Sequence, residues 1–163
     1  MEPFFNSLTP EAMTPREKQI ALAVGVFGWE ARRAEQIGVV TGRWTLIPPG
    51  CHDRIYHYWW YDTDEAAYCS GSTIHPMPAA YRFPDPANNG SDLLRVLQAF
   101  NRYTLLGIQG TETVCQFTTN QRSCAREVRG SDLAEVVIDA AIYALALERG
   151  PESVFTMEVP DES

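Results

Sequence analysis

The sequence predicts a mixed α/β (α+β) domain, a layered sandwich in which helices cover a mainly antiparallel sheet in the order α-ββ-α-ββ(β)-α. Three observations lead there. The first is the run Ile55-Tyr56-His57-Tyr58-Trp59-Trp60-Tyr61, in which every residue is apolar, aromatic or imidazole. On a strand, alternate residues point to opposite faces. Neither face of this run reads as wet, so both must be covered. The second is a set of helix-start signals before apolar periodic stretches: Thr14-Pro15-Arg16-Glu17, Ser91-Asp92 and Ser131-Asp132. The third is that the strand-like segments come in pairs joined by short turns, which implies antiparallel hairpins.

The first helix follows from a Thr N-cap, Pro at N1 and Glu at N3, and its apolar residues Ile20, Leu22, Ala23, Val24 and Phe27 carry it towards Gly28. Residues 30–36 read as a further short piece of helix. Strands are expected at 43–47, ended by Pro48-Pro49-Gly50, and at 54–62. Residues 62–90 read as a long loop, punctuated by Gly71, Pro76, Pro78, Pro84, Pro86 and Asn88-Asn89-Gly90. Loops of that length in compact domains are often functional. A second helix follows, with core stripe Leu93, Val96, Leu97 and Phe100. Strands are expected at 103–109 and 113–119, with a fifth at 124–128. The last helix, 133–149, is apolar almost all round, with one polar stripe at Asp132, Glu135 and Asp139. Such a helix is either central in a core or half covered by a second copy, and it is the basis for expecting a homo-oligomer. The domain organisation is thus an N-terminal arm over 1–13, one domain over 14–149 containing the long loop, and an acidic tail over 150–163.

The chain has 163 residues, 45% hydrophobic and 21% charged, enough for a full core. Its net charge is −8, and half of that sits in residues 150–163 (Glu152, Glu158, Asp161 and Glu162). An acidic chain without a basic stretch is a poor match for direct nucleic-acid binding. Twelve Arg against the single Lys18 are spread along the whole chain, as in the composition of a GC-rich genome. No apolar run approaches the ~18 residues of a membrane span. The first ten residues lack a signal-peptide pattern, so secretion is not expected. Cys51, Cys69, Cys115 and Cys124 have no CxxC spacing and are expected to be reduced thiols.

Three anchors, Val26-Phe27-Gly28-Trp29 after the opening helix, Pro84 and Pro86 leading to Ser91-Asp92, and Gly130-Ser131-Asp132-Leu133 opening an Ala-rich helix, give the chain a resemblance over about residues 14–148 to the phage ABA sandwich domain family, small proteins of bacteriophages and prophages. Residues 62–85 are extra length relative to that pattern. The resemblance implies a fold and a phage origin, not a reaction. It leads to the expectation of a non-enzymatic viral protein acting in counter-defence, with a host defence protein or a small nucleotide ligand as its partner.

The binding set read from the residues is Arg54, Tyr56, Tyr58, Trp60, Tyr61, Tyr68, Tyr81 and Arg82. Aromatic faces stack on rings, and Arg holds phosphate or carboxylate. The competing expectation is that these aromatics are core. No cofactor is expected, although Cys51, His52, His57, Cys69 and His75 fall within 25 residues and are of the types that ligate zinc. Their spacing is not that of a zinc knuckle. An enzyme built on residues 51–75 is the alternative function, through zinc or through Cys69 paired with His57 or His75. Asp62-Thr63-Asp64-Glu65 lacks the glycine and spacing of a calcium loop. A virion or assembly protein is the third possibility.

Overall fold

A computed structural model describes residues 8–33, 44–49, 55–60, 66–70, 73–76, 83–100, 102–108, 112–119 and 122–149. The chain is mixed α+β, and the described residues form three α-helices and antiparallel strand pairs. Where one domain is expected over 14–149, contacts cluster into two compact units. The first draws its described residues from Met1–Val26 and Pro84–Thr156, the second from Phe27–Phe83.

The first unit opens with a 3-10 turn, Pro10–Ala12, and α1, Pro15–Gly25. The capping box forms as expected: Thr14 Oγ1 accepts from the Glu17 amide at 3.1 Å, and Glu17 Oε1 accepts from the Thr14 amide at 2.9 Å. The helix stops at Gly25, three residues short of Gly28. It continues with α2, Gly90–Gln98, β6, Arg102–Ile108, β7, Glu112–Thr118, β8, Val128–Gly130, and α3, Leu133–Arg149. The three strands form one sheet in the order β6-β7-β8.

Helix α3 is the centre of this unit. It packs on β7 and β8, on α1 and α2, and on the 3-10 turn. Val136, Val137, Ala140, Ala141, Ile142 and Ala144 are buried. Much of its apolar surface is therefore covered within the chain, while Leu133 and Leu147 near its two ends are 46% and 48% exposed. Its polar stripe is anchored too: Lys18 Nζ of α1 meets Asp139 Oδ1 at 2.7 Å with both side chains 18% exposed. α1 and α3 approach closely where Gly25 faces Leu145, since a Cβ on Gly25 would lie 2.7 Å from Leu145 Cδ1.

Three boundaries in this unit differ from expectation for local reasons. The N-cap of α2 is Asn89, whose Oδ1 accepts from the Asp92 amide at 3.0 Å. Asp92 is then inside the helix and buried, its Oδ2 accepting from the Asp85 amide at 2.9 Å. Val96 and Phe100 of the expected stripe are buried, while Leu93 and Leu97 are half-buried. The fifth strand expected at 124–128 is displaced to Val128–Gly130. A turn closed by Arg122 N–H to Thr119 O, with Arg122 at φ 65°, leaves a single bridge between Thr118 and Cys124 before the chain straightens. Residues 8–13 of the supposed arm are not free, for Leu8, Pro10 and Met13 are buried.

The second unit is a five-stranded antiparallel meander in sequence order: β1, Glu30–Arg33, β2, Trp44–Ile47, β3, Ile55–Trp60, β4, Ala66–Ser70, and β5, Thr73–Pro76. Two expectations are corrected here. Residues 30–33 are a strand, not helix. Gly28 at φ +80° turns the chain out of the helical direction, and Trp29 and Ala31 are buried while Glu30 and Arg32 are half-buried, a period of two. The supposed loop 62–90 contains β4 and β5, paired to β3 and to each other. The expected element order therefore becomes α-βββββ-α-βββ-α.

In β3, Tyr58 and Trp59 lie on opposite faces and are 1% and 4% exposed. The strand is covered on both sides, as its composition demands. The described residues of this unit include no helix, so the Trp59 face is covered by aromatics: Trp29 meets Trp59 edge-on with centroids 4.9 Å apart, and Phe83 meets Trp29 at 4.8 Å. Ala31, Leu46 and Trp59 form one cross-strand row of this core.

Gly25→Ala should destabilise the protein by about 1–3 kcal/mol in urea unfolding, because a methyl group must displace the buried Leu145, even though Ala is the better helix former by about 1 kcal/mol. Arg122→Gly should stabilise by up to about 1 kcal/mol in the same assay, because a left-handed backbone costs a side-chain-bearing residue about that much.

Candidate functional site

The register of the meander decides which sequence-predicted residues share a face. Arg32 of β1, Thr45 of β2 and Trp60 of β3 are aligned in one row. Two residues along β3 on the same face is Tyr58, whose ring meets that of Trp60 edge-on at 5.2 Å. Thr45 is fully buried and its hydroxyl donates to Arg32 O at 2.8 Å, which ties β1 to β2 at this row. Arg32 and Trp60 at its two ends are half-buried. Arg32 Nε donates to Glu30 Oε2 at 3.0 Å, an ion pair whose side chains are 41% and 36% exposed. Partly open to solvent, that pair holds the guanidinium in place at little energetic cost to break.

The row brings a guanidinium and an indole to one face of a sheet, with a small hydroxyl residue between them. An indole face stacks on flat rings, and a guanidinium donates two parallel hydrogen bonds to carboxylate or phosphate oxygens. Sequence reasoning missed Arg32 because 30–36 read as helix, and with β1 unread the row that Thr45 shares with it had no visible end. The signal that finds them is the alternation Trp29, Ala31 against Glu30, Arg32.

The other predicted residues divide three ways. Arg54, Tyr61, Tyr81, Arg82, Cys51 and His52 lie outside the described residues, as do Asp62–Glu65 and the tail 150–163. Tyr58 is core by its burial. Tyr56, His57, Tyr68, Cys69 and His75 are placed by register: Tyr56 opposite Cys69, His57 opposite Tyr68, and Tyr68 opposite His75. Cys69 is paired with Ile74 of β5. Among the described residues, no group of three or more His, Cys, Asp or Glu is arranged to hold a metal ion.

Elsewhere the reactive groups are structural. Cys115 and Cys124 are free thiols. Burial pushes the Cys115 thiol up to about 11, so it is no nucleophile near neutral pH. The Tyr143 hydroxyl of α3 donates to Glu11 Oε1, and the Arg126 guanidinium lies over the Tyr143 ring at 5.0 Å from its centroid. Arg126 also meets Glu11 at 3.4 Å. Desolvation and the Glu11 hydrogen bond push Tyr143 from 10 up to about 12. The hydrogen bond from Tyr143 holds Glu11 below its ordinary 4.5. The cluster fastens the 3-10 turn to α3.

No family model, curated protein or solved structure matches the chain. No described helix is long and apolar enough to cross a membrane.

A raised tyrosine pKa stabilises the fold below pH 10 and is lost as pH rises through about 12. The lowered Glu11 stabilises above 4.5 and is lost as pH falls through its folded value. Tyr143→Phe should therefore flatten both the alkaline limb between pH 10 and 12 and part of the acid limb of the stability profile. Ultraviolet titration should show one tyrosinate fewer in the highest-pH phase of the variant.

Proposed function

We propose that this protein acts by binding, without catalysis, and that it takes an anionic, ring-bearing ligand of the nucleotide class on the half-buried Arg32 and Trp60 that flank the buried Thr45. The observation that carries the reading is that one row of the meander holds a half-buried guanidinium and a half-buried indole on the same face. Stacking on Trp60 would hold the base, and Arg32 would hold a phosphate by exchanging its partner Glu30. The resemblance to the phage ABA sandwich family extends the reading: a viral protein that removes a nucleotide signal from a host defence pathway in the bacterial cytoplasm. An enzyme on residues 51–75 is the alternative reading, since that segment holds Cys51, His52, His57, Cys69 and His75. A host defence protein as the partner, or a role in virion assembly, would use the same half-exposed aromatic without the need for Arg32.

Purified protein heated and spun should release its nucleotide intact, as detected by chromatography of the supernatant. Trp60→Ala should weaken nucleotide binding by about 1–3 kcal/mol, the range for loss of one base stack, and Arg32→Ala should lower affinity for phosphorylated ligands more than for the nucleoside. Circular dichroism should report an intact fold in both. Absence of nucleotide binding, with a host protein retained by the wild type and lost with Trp60→Ala, would replace this reading with that of a protein blocker. Consumption of the nucleotide would replace it with an enzyme.

A further inference from the structure

The Arg32 guanidinium does not stand alone on its face of the meander. Two residues back along β1, on the same side of the strand, is Glu30, whose Oε2 accepts from Arg32 Nε at 3.0 Å. We infer that Glu30 determines the specificity of this site, its carboxylate accepting from the sugar hydroxyls of the ligand, so that ribonucleotides are taken in preference to deoxyribonucleotides. This rests on the nucleotide reading above and goes beyond it by naming the sugar.

Neighbouring strands lie about 4.8 Å apart, so the backbones of Arg32 and Trp60, two strands apart, are separated by about 10 Å. A base on the Trp60 ring and a phosphate on the Arg32 guanidinium leave the sugar between them. Thr45 has no hydrogen bond to give it, because the residue is fully buried and its hydroxyl donates to Arg32 O at 2.8 Å. In the adjoining row Glu30 is opposite Ile47, which is 1% exposed, and Tyr58 of the same face is buried as well. Of the described side chains on this face, Glu30 therefore carries the one carboxylate, 36% exposed and within reach of a ligand held by Arg32.

Charge points the same way. A phosphate that takes Arg32 displaces Glu30, and the displaced carboxylate then stands beside an anion with no cation of its own. Like charges at that range oppose binding. Hydroxyl groups that donate to the carboxylate offset the repulsion, since hydrogen bonds to charged groups are among the stronger ones. A carboxylate accepts on both of its oxygens, and a ribonucleotide carries two adjacent hydroxyls on the sugar between its base and its phosphate. A deoxyribonucleotide has lost one of the two. The fold itself does not demand Glu30: glutamate is disfavoured in strands, and a partly open ion pair with Arg32 adds little stability.

The test is titration calorimetry of the full chain with adenosine and guanosine monophosphate and with the corresponding deoxyribonucleotides. The wild type should bind the ribonucleotides about 10-fold more tightly, the scale of one hydrogen bond to a charged group. Glu30→Ala should bind both forms alike, and should bind the deoxyribonucleotides more tightly than the wild type does, because the repelling carboxylate is gone. A merely structural role for Glu30 does not produce that gain. Trp60→Ala should weaken both forms and keep their ratio. Equal affinity of the wild type for the two sugar forms overturns this inference and leaves the nucleotide reading standing, and that readout holds even if the Glu30 variant does not fold. A preference for ribonucleotides that survives Glu30→Ala overturns the assignment to Glu30. No binding of either form overturns both readings.

Discussion

A helix that is apolar on nearly every side must be covered on every side, and the first unit is arranged to meet that demand on α3. Val136, Val137, Ala140, Ala141, Ile142 and Ala144 leave little of its surface fit for water. The sheet takes part of the circumference, and α1 and α2 take more. Each partner is then fixed by a device of its own. α1 comes close because Gly25 has no Cβ to meet Leu145, and it is held in angle by Lys18 on Asp139. The 3-10 turn is held by Tyr143 and Arg126 on Glu11. These polar ties sit at the margins of the apolar contact, where they set orientation. The burial itself supplies most of the free energy.

The second unit obeys a different constraint. A meander of five short strands has no helix of its own among the described residues, so its central strands must find cover through their own large side chains. That is the reason for the density of aromatics around β3. Trp59 is packed by Trp29 and Phe83 on one face, and Tyr58 is packed beside Trp60 on the other. Register then does the rest. In an antiparallel sheet it fixes which residues are neighbours across strands, and here it puts Arg32 in line with Trp60.

What was legible in the sequence follows from how local the determining physics is. The capping box at Thr14 and the span of α3 depend on residues a few positions apart, and both are read directly from the chain. The two-sided cover of β3 is legible because composition alone demands it. The strand at Glu30–Arg33 was not, because four residues with good helix formers at Glu30, Ala31 and Arg32 are decided by pairing with β2, a partner that local propensity does not contain. β4 and β5 were obscured by prolines on either side, although the two residues Gly71-Ser72 between Ser70 and Thr73 are the spacing and composition of a tight hairpin. The candidate site was half legible. Trp60 declared itself by type, but Arg32 and Thr45 become its neighbours only through register, and Tyr58 proved to be core.

The insertion of residues 27–83 between α1 and α2 has a consequence for the order in which the chain acquires its structure. Every pairing in the meander is between strands adjacent in sequence, so the second unit closes only short loops as it forms. The first unit must wait. Lys18 and Asp139 are 121 residues apart, and Glu11 and Tyr143 are 132 apart. During synthesis, the apolar face of α1 emerges from the ribosome long before α3 exists to cover it. The inserted meander therefore matures first, while α1 remains an exposed amphipathic segment in need of shelter until the last helix is made.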